Sequence, residues 1–519
     1  MKVILIVPTP RDIFAFGARS ISSFLKKHGH EVKMIFMPGG IDKLRFGKTV
    51  TYRYQLHIEK RLISICRDSD LIGISFMTHY YERAIQITKA LKSALEIPIV
   101  WGGTHSTVAP EESLKYVNMV CIGEGEDPFL ELISRLESGH GYLDTKSFYF
   151  KNNGKIIKNS LRLLRQDLDS LPPMDFDIQD HYVYNAWEDD VTEMDKNLLG
   201  QVLPRLRYFN DRTLITYRTM VSRGCPHNCT YCTSPVLKRM YGGQNYLRRR
   251  SVAHVMEELE DVIARYGFIE SINFFDDTFF AAPISYLEEF SQSYKKRIGL
   301  PMYVQGSPTT ITKNKIEVLI DAGCVFVEMG IQTGSKKTQI LYDRKVPNEK
   351  VIASAKSINS HKEKLLTPDY HIILDNPWES SEDILQTLRL LLMLPTPFTL
   401  SISSLIFFPE TTLAKKALEE NLVDDDDPLA IGRKPFVYAR GSYLNYLILL
   451  AGLSAIPRTL IRFLARPSMV KIFHREHLSQ AYEFLYHLTR YIILFIKGYK
   501  ALRRGDFNRI GRYFRKLKL

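Results

Sequence analysis

Apolar strand-like runs alternate with helix-like segments twice along this chain of 519 residues, and that alternation constrains the fold more than any other feature. Within residues 1–140, runs such as KVILIV at 2–7 are short, continuous and apolar, as buried parallel strands are. Segments with helical spacing separate them, for example YERAIQITKALKSAL at 81–95. This order predicts a doubly wound parallel sheet that binds ligands at the carboxyl ends of its strands.

A second stretch, residues 216–414, repeats the alternation. We expect strands at TYRTMVS, IESINFF, MYVQG, VFVEMGI, DYHIIL and LSISSLIFF, with helices between them. Six strand–helix units predict a (β/α)6 partial barrel, and the active sites of such barrels lie where the strands end. Residues 141–215 are less regular, and we expect a linker that packs between the two α/β domains. Residues 415–519, which begin near an acidic run at 424–427, are expected to be helical, apolar and basic.

The chain carries 70 Lys and Arg and 57 Asp and Glu, and the excess is uneven, because residues 490–519 hold ten basic residues and one acidic residue. Aromatic residues interleave with basic ones there. This pattern suits an amphipathic helix on an anionic membrane, a single-strand nucleic-acid binder, or a solvated helix. We favour the membrane over nucleic acid as a partner.

The cellular compartment follows from what the sequence lacks. The apolar run at the N-terminus is too short for a signal peptide, and six cysteines in 519 residues do not make a disulfide framework. The apolar run at 443–456 is too short to span a bilayer. We therefore expect a reduced, cytoplasmic protein, with peripheral contact to the inner membrane surface as an additional expectation.

Three cysteines lie within eight positions, in the sequence CPHNCTYC, directly after the first predicted barrel strand. They are Cys225, Cys229 and Cys232. Thiolates bind iron–sulfur clusters, normally four to a cubane, and the remaining cysteines offer no convincing fourth ligand. A fourth ligand from outside the protein is the economical interpretation. The alternative is a structural zinc site completed by His227.

The cysteine motif resembles the C-x3-C-x-aromatic-C motif of the radical S-adenosylmethionine (SAM) superfamily, with Tyr231 at the aromatic position. The resemblance implies a [4Fe–4S] cluster whose open iron binds the amino and carboxylate groups of SAM. It also implies reductive cleavage of SAM to a 5′-deoxyadenosyl radical, with a reductant such as flavodoxin or ferredoxin.

Polar residues at later strand ends follow the order of that superfamily. The resemblance places Asp276 and Asp277 at the methionyl amino group of SAM. It places four residues near the ribose and carboxylate, namely Glu328, Gly330, Gln332 and Ser335. It places Asp375 and Asn376 near the adenine. No residue is assigned to the chemical step itself.

The first domain lacks a dinucleotide fingerprint and instead resembles a cobalamin-binding, Rossmann-like domain. Its first loop matches the motif D-x-H-x-x-G, except that Phe14 stands at the histidine position. The residues that the resemblance assigns to cobalamin are Asp12, Phe14, Gly17, Ser75, Met77, Gly102, Gly103, Thr104, Gly123, Glu124 and Gly125. A phenyl ring cannot coordinate cobalt, so the lower face of cobalamin is expected to lack a histidine ligand.

These resemblances together predict a class B-like radical SAM methyltransferase that uses cobalamin to methylate an unactivated carbon of a small-molecule or lipid substrate. Ring closure, rearrangement or carbon–carbon coupling, with or without cobalamin, are the alternatives within the same architecture. A methylthiotransferase would need three further N-terminal cysteines. A zinc-containing nucleic-acid-binding protein is the non-enzyme alternative.

Overall fold

The computed structural model describes residues 1–9, 13–38, 43–45, 48–50, 53–423 and 440–503. Asp12, the acidic run at 424–427 and the last sixteen residues of the basic tail lie outside the described residues. The chain forms two compact units. The first comprises residues 1–327, 363–366 and 406–435, and the second comprises residues 328–362, 367–405 and 436–519.

The strands are numbered in chain order. They are β1 Lys2–Thr9, β2 Glu31–Pro38, β3 Lys43–Arg45, β4 Lys48–Val50, β5 Leu71–Ser75, β6 Ile99–Gly102, β7 Met119–Cys121, β8 Phe148–Asn152, β9 Lys155–Lys158, β10 Tyr182–Asn185, β11 Asp190–Glu193, β12 Arg205–Arg207, β13 Thr213–Thr219, β14 Ser222–Arg223, β15 Arg248–Arg249, β16 Ser271–Phe274, β17 Met302–Gly306, β18 Cys324–Gln332, β19 Asp369–Leu374 and β20 Thr399–Ser404.

The α-helices are numbered in the same way. They are α1 Phe16–Lys27, α2 Leu56–Cys66, α3 Tyr81–Lys92, α4 Thr104–Val108, α5 Pro110–Ser113, α6 Glu126–Glu137, α7 Lys196–Val202, α8 Ser234–Met240, α9 Val252–Arg265, α10 Ile284–Arg297, α11 Lys313–Asp321, α12 Lys336–Leu341, α13 Asn348–Asn359, α14 Ser381–Met393, α15 Thr412–Glu419, α16 Tyr443–Ala451, α17 Arg458–Leu464, α18 Pro467–Phe473 and α19 Ser479–Leu502. Across the described ranges, none of these helices combines the length and apolar character that crossing a membrane requires.

The first unit contains a nine-stranded sheet of order β11-β10-β2-β1-β5-β6-β7-β8-β9. Its central strands, β10, β2, β1, β5, β6 and β7, run parallel to one another. The first four residues of β5, 71–74, are all buried, because helices cover both faces of the sheet. This confirms the doubly wound sheet predicted for the first domain.

The segment at 141–215 is more than the expected linker. Strands β8 and β9 add antiparallel to one edge of the sheet beside β7, and β10 with β11 extend the other edge beside β2. Strands β8 and β10 pair with β7 and β2, which lie much earlier in the sequence, and β9 and β11 are only four residues long, so local periodicity did not reveal them. Pairing both edges leaves fewer open backbone groups on the outer parallel strands.

The second sheet has the order β12-β13-β16-β17-β18-β19-β20. In the first unit β13, β16 and β17 are parallel, and β12 adds antiparallel at the edge. Strand β18 continues from the first unit into the second, where β18, β19 and β20 are parallel. These strands correspond to the six expected ones, which confirms the (β/α)6 partial barrel.

The second unit also contains the C-terminal helices α16 to α19. The guanidinium groups of Arg458 and Arg462 donate to the carbonyl of Leu392 at the end of α14, at 3.2 and 3.3 Å. The ring of Tyr443 in α16 lies 5.6 Å from that of Tyr482 in α19. The helical C-terminal region expected from the sequence is therefore present in the described residues.

Candidate functional site: a thiol loop beside a glycine-lined cavity

The three cysteines of the motif lie in a loop, called here the thiol loop, at residues 224–233 between β14 and α8. Cys229 is buried, and Cys225 and Cys232 are partly exposed. The loop begins at Gly224, whose φ is 93°, and a Cβ there would lie 2.3 Å from the carbonyl oxygen of Tyr246. Only glycine fits this turn without displacing the backbone of its neighbour.

Short backbone contacts hold the thiol loop in shape. The amide of Cys232 donates to the carbonyl of Cys229 at 3.0 Å, and the amide of Ser234 donates to the Cys232 Sγ at 3.4 Å. Outside the loop, the amide of Leu413 in α15 donates to the carbonyl of Thr230 at 3.1 Å. Tyr231, the aromatic residue of the motif, is partly buried within the loop.

Burial, with the negative charges of Asp277, Cys229 and Cys225, raises the pKa of the Cys232 thiol to about 12, although the amide of Ser234 opposes the shift. Those three groups therefore lie close to Cys232. A metal must displace the thiol protons, since only thiolates are ligands. Among the described residues, no group of three or more Cys, His, Asp or Glu is arranged to hold a single metal ion. A cubane differs in this respect, because each thiolate binds a different iron atom.

The two acidic residues at the end of β16 have different surroundings. Asp276 is fully buried, and its carboxylate accepts hydrogen bonds from the amides of Val221 and Ser222 and from the Ser222 hydroxyl. Burial raises the pKa of Asp276 to about 6, against these hydrogen bonds. Asp276 therefore fixes the backbone before the thiol loop, whereas Asp277 is exposed and lies near Cys232.

The residues expected near the ribose of SAM belong to the second unit. Glu328, Gly330 and Gln332 are alternate, partly exposed residues of β18 and share one face of that strand. Glu328 Oε2 lies 3.5 Å from His371 Nε2. Ser335 is buried instead, where its hydroxyl caps α12 and donates to Asp383 Oδ1 at 2.6 Å. The structure thus shows a capping role for Ser335.

The residues expected near the adenine also differ from one another. The Asp375 carboxylate accepts from Ser404 Oγ, the Arg440 amide and Asn445 Nδ2, each at 2.8 Å, so it fastens the start of α16 to β19 and β20. Asn376 is buried, and its Nδ2 has no hydrogen-bond partner among the described residues. Asn376 therefore keeps a free donor, while the acceptors of Asp375 are engaged.

A cavity of about 310 Å³ lies in the first unit at the carboxyl ends of the parallel strands, which is where a doubly wound sheet places ligands. Seven of the residues assigned to cobalamin line it, namely Gly17, Ser75, Gly102, Gly103, Gly123, Glu124 and Gly125. Apolar side chains, among them Leu5, Phe16, Ile21 and Phe129, form much of the remaining wall.

The glycines of this cavity suit a flat macrocycle. A Cβ at Gly17 would meet no atom within 4 Å, and one at Gly102 would meet only the Cys121 Cβ, at 3.9 Å. The backbone at these positions therefore borders open space that a side chain would fill. Gly103, with φ of 90°, approaches Phe76 so closely that a Cβ would lie 2.6 Å from its carbonyl oxygen. A glycine-edged, apolar cavity fits the corrin ring of cobalamin.

Three residues assigned to cobalamin do not line this cavity. Phe14 is 2% exposed and packs against Phe176 and Tyr217, with ring centroids 5.8 and 6.0 Å apart. Met77 is exposed, and Thr104 begins α4. The Phe14 ring thus lies in an aromatic core formed with residues distant in the sequence, and its assignment to cobalamin stays a prediction.

Charged residues that sequence reasoning left unassigned join the cavity to the thiol loop. Arg223, two residues before Cys225, lines the cavity and donates to Glu126 Oε1 at 2.6 Å. Its Nη1 lies 3.5 Å from Glu124 Oε2, and Arg248 donates to both oxygens of Glu124. Burial raises the pKa of Glu126, but Arg223 outweighs it and holds that pKa below its usual value. The signal in the sequence was the acidic turn GEGED.

Comparison with known proteins agrees with this arrangement. A family model for the B12 binding domain matches residues 2–133, and one for the radical SAM superfamily matches residues 219–391. The chain is a radical SAM enzyme with a B12-binding domain. Its cofactors are accordingly a [4Fe–4S] cluster, SAM and cobalamin, as the motifs predicted.

Two curated relatives cover much of this radical SAM enzyme. An uncharacterized methyltransferase, PH0819 of Pyrococcus horikoshii, is 24% identical over 82% of this chain and 84% of its own length. Cytidylyl-2-hydroxyethylphosphonate methyltransferase of Streptomyces wedmorensis is 25% identical over 65% of this chain and 66% of its own length.

Solved structures share the fold. TsrM of Kitasatospora setae, a radical SAM methyltransferase solved with cobalamin and a [4Fe–4S] cluster, has a TM-score of 0.61 at 15% identity and covers 80% of this chain and 75% of its own. OxsB, a cobalamin-dependent SAM radical enzyme solved with aqua-cobalamin, has a TM-score of 0.65 at 15% identity and covers 99% and 84%.

Proposed function

We propose that this enzyme is a cobalamin-dependent methyltransferase that methylates an unactivated carbon of a small-molecule substrate, with a flavodoxin- or ferredoxin-type protein as reductant. The observation that carries the proposal is the position of Arg223, which belongs to the wall of the glycine-edged cavity and leads directly into the thiol loop. Methyl transfer to a substrate radical needs both cofactors within reach of one substrate. The names of the two curated relatives support the same reaction class.

Different residues of the first unit would bind the cluster, the amino group of SAM and cobalamin. Cys225, Cys229 and Cys232 would hold the cluster, and Asp277 would accept a hydrogen bond from the amino group of SAM. The glycine edges and apolar wall of the cavity would hold cobalamin and exclude water, which protects a substrate radical. When bound, the cofactors supply a 5′-deoxyadenosyl radical that removes a hydrogen atom and a methyl group that replaces it.

The residues of the second unit would serve SAM. We infer that Glu328, Gln332 and Asn376 contact its ribose, carboxylate or adenine, because their polar atoms are accessible or lack a partner. Ser335 and Asp375 would act indirectly, by holding the backbone of α12 and of the turn after β19.

The reaction is tested by the fate of SAM. Anaerobically reconstituted, reduced protein loaded with cobalamin and turning over its substrate should convert SAM to both S-adenosylhomocysteine and 5′-deoxyadenosine, because one SAM supplies the methyl group and a second supplies the radical that removes the substrate hydrogen. Formation of 5′-deoxyadenosine without S-adenosylhomocysteine would favour a cyclase. That second candidate is supported by a 26% identical match, over 42% of this chain, to anaerobic magnesium-protoporphyrin IX monomethyl ester cyclase of Synechocystis.

The cluster assignment has its own variant. Cys229→Ala should abolish the cluster absorption and the cleavage of SAM. With only two thiolates left, one more iron atom, besides the one that binds SAM, would lack a protein ligand. Cys324→Ala is the matched control, since Cys324 is also buried but begins β18 away from the loop. Cleavage that survives in Cys229→Ala, or is lost equally in both variants, would contradict the assignment.

A further inference from the structure

The last described helix, α19, presents an unpaired apolar stripe. Eight of its large apolar residues are exposed, with Phe495 75% and Phe484 66% exposed; the full set is Phe484, Leu488, Tyr491, Ile492, Phe495, Ile496, Tyr499 and Leu502. At about 100° per residue, they fall within an arc of about 140°. The stripe therefore runs along one side of the helix over most of its length.

The opposite side of α19 is the side that packs. Tyr482 and Tyr486 are buried, and the Tyr446 hydroxyl of α16 lies 3.1 Å from Thr489 Oγ1. One face thus already has its partner within the second unit. The exposed stripe is a second apolar face, and soluble monomers rarely leave contiguous apolar patches of this kind uncovered.

Helices α17 and α18 of the same unit also expose apolar side chains. They are Leu460, Phe463, Ile472 and Phe473. Basic residues stand among them, including the exposed Lys471 and Arg475. The apolar positions of α17, α18 and α19 are accordingly accompanied by positive charge.

The charge of the chain is concentrated in this region. Residues 440–519 contain sixteen Lys and Arg and three Asp and Glu, a net charge of +13, which equals the net charge of the whole chain. Residues 1–439 are therefore electrically balanced. A surface that is both apolar and strongly basic is complementary to an apolar interior beneath a negatively charged surface.

We propose that the C-terminal helices α17 to α19 bind peripherally to a bilayer that contains anionic phospholipid, with the stripe of α19 inserted at the level of the headgroups. The aliphatic members of the stripe, Leu488, Ile492, Ile496 and Leu502, have no use in base stacking, which argues against nucleic acid. A second copy of the chain would bring two strongly positive surfaces together, which argues against self-association. This proposal does not depend on the proposed methyl transfer.

The test is co-sedimentation of the cofactor-loaded protein with phosphatidylcholine vesicles, with and without phosphatidylglycerol, across a salt series. We expect binding to the anionic vesicles that weakens as salt rises, and little binding to the neutral ones. The double variant Ile492→Ser, Phe495→Ser should lower the affinity for anionic vesicles by about tenfold or more, because two apolar side chains no longer insert. Ile340→Ser, at an exposed isoleucine of α12, should leave it unchanged.

A charge variant keeps the test valid if the apolar variant folds poorly. Lys471→Glu with Arg503→Glu changes only exposed side chains and should reduce binding to anionic but not to neutral vesicles. Unchanged cluster absorption and corrin content would show that each variant is folded.

Four results would overturn the proposal. Equal affinity for neutral and anionic vesicles would show that the positive charge does not contribute to binding. Unchanged binding by both variants would show that the protein contacts the vesicle through another surface. If the protein does not bind vesicles but forms a dimer in analytical ultracentrifugation that Phe495→Ser disperses, the surface binds a second copy of the chain. If it does not bind vesicles but retains single-stranded RNA in a salt-sensitive way, the surface binds nucleic acid.

Discussion

At the scale of single residues, Arg223 is the most consequential side chain that the sequence motifs left out. Its replacement in Arg223→Met should leave the buried carboxylate of Glu126 without its cation and destabilise the protein by about 2–3 kcal/mol. The loss should appear as a lower urea midpoint and a lower ratio of bound corrin to protein.

Arg297→Met is the control for Arg223→Met, since Arg297 pairs with Glu260 on the surface, where solvent screens the pair, and its replacement should change stability far less. Equal stability losses in the two variants would mean that the pair of Arg223 with Glu126 contributes no more to the free energy of unfolding than an ion pair on the surface.

Glu379 gives a residue-level dependence on pH. Burial raises the pKa of this carboxyl to about 7, although the hydroxyls of Thr338 and Thr333 donate to it. The folded-state pKa exceeds the ordinary value of 4.5, so the folded protein favours the protonated carboxyl of Glu379. The contribution of this group to the free energy of unfolding is therefore fully present below about pH 4.5 and is lost as pH rises towards 7. Glu379→Gln should flatten urea midpoints over that window and raise stability at pH 8 by about 1–2 kcal/mol. A slope retained in the variant would contradict this assignment.

Phe14 shows what a motif alone leaves open. Because its ring lies in an aromatic core rather than in the cavity wall, Phe14→His should leave the absorption spectrum of bound cobalamin unchanged and reduce stability by about 2–4 kcal/mol. A shifted cobalt spectrum at unchanged stability would instead place residue 14 beneath the metal. Phe176 and Tyr217, its partners, are more than 150 residues away in the sequence, so the motif could not reveal them.

At the scale of elements, the carboxyl end of β6 offers the most direct test of the cavity. Gly102→Leu would project a side chain into open space, so the fold should survive while retained corrin falls by about tenfold. The ratio of corrin to protein, measured with circular dichroism of the same sample, separates the two effects. Gly141→Leu is the control, since Gly141 lies in a loop beside open space and does not line the cavity. Full corrin retention by Gly102→Leu would show that cobalamin does not lie against β6.

Sequence patterns predicted the elements with the strongest periodicity. The parallel strands β1, β5 and β6 are runs of buried apolar residues, and α9 shows a buried face at helical spacing, so both were predicted from local sequence. The edge strands β8 to β11 were missed, because they are short and are defined by their partners. In the same way, the sequence did not reveal that Ser404, Arg440 and Asn445 donate to the Asp375 carboxylate, and the assignment of Asp375 to SAM stays a prediction.

At the scale of the whole molecule, motif order was sufficient to predict two domains and their cofactors, and the matches at 2–133 and 219–391 confirm both. The domain boundaries placed at 140, 215 and 414 stay a prediction. The division of the structure into units falls inside β18, at residues 327–328, where no change in composition marks it. The compact units are defined by which elements contact each other, whereas the predicted domains are defined by cofactor-binding motifs. The boundaries of the units and of the domains therefore need not coincide.

The bond from Arg223 to Glu126 also limits how such an enzyme can be rebuilt from parts. A chimaera that borrowed its N-terminal third from a relative lacking an acid at position 126 would leave the partly buried guanidinium of Arg223 without its shortest ion pair, two residues before the first cysteine of the thiol loop. Exchange of the corrin-binding module between enzymes of this architecture should therefore succeed only when the acid and the base are transplanted together.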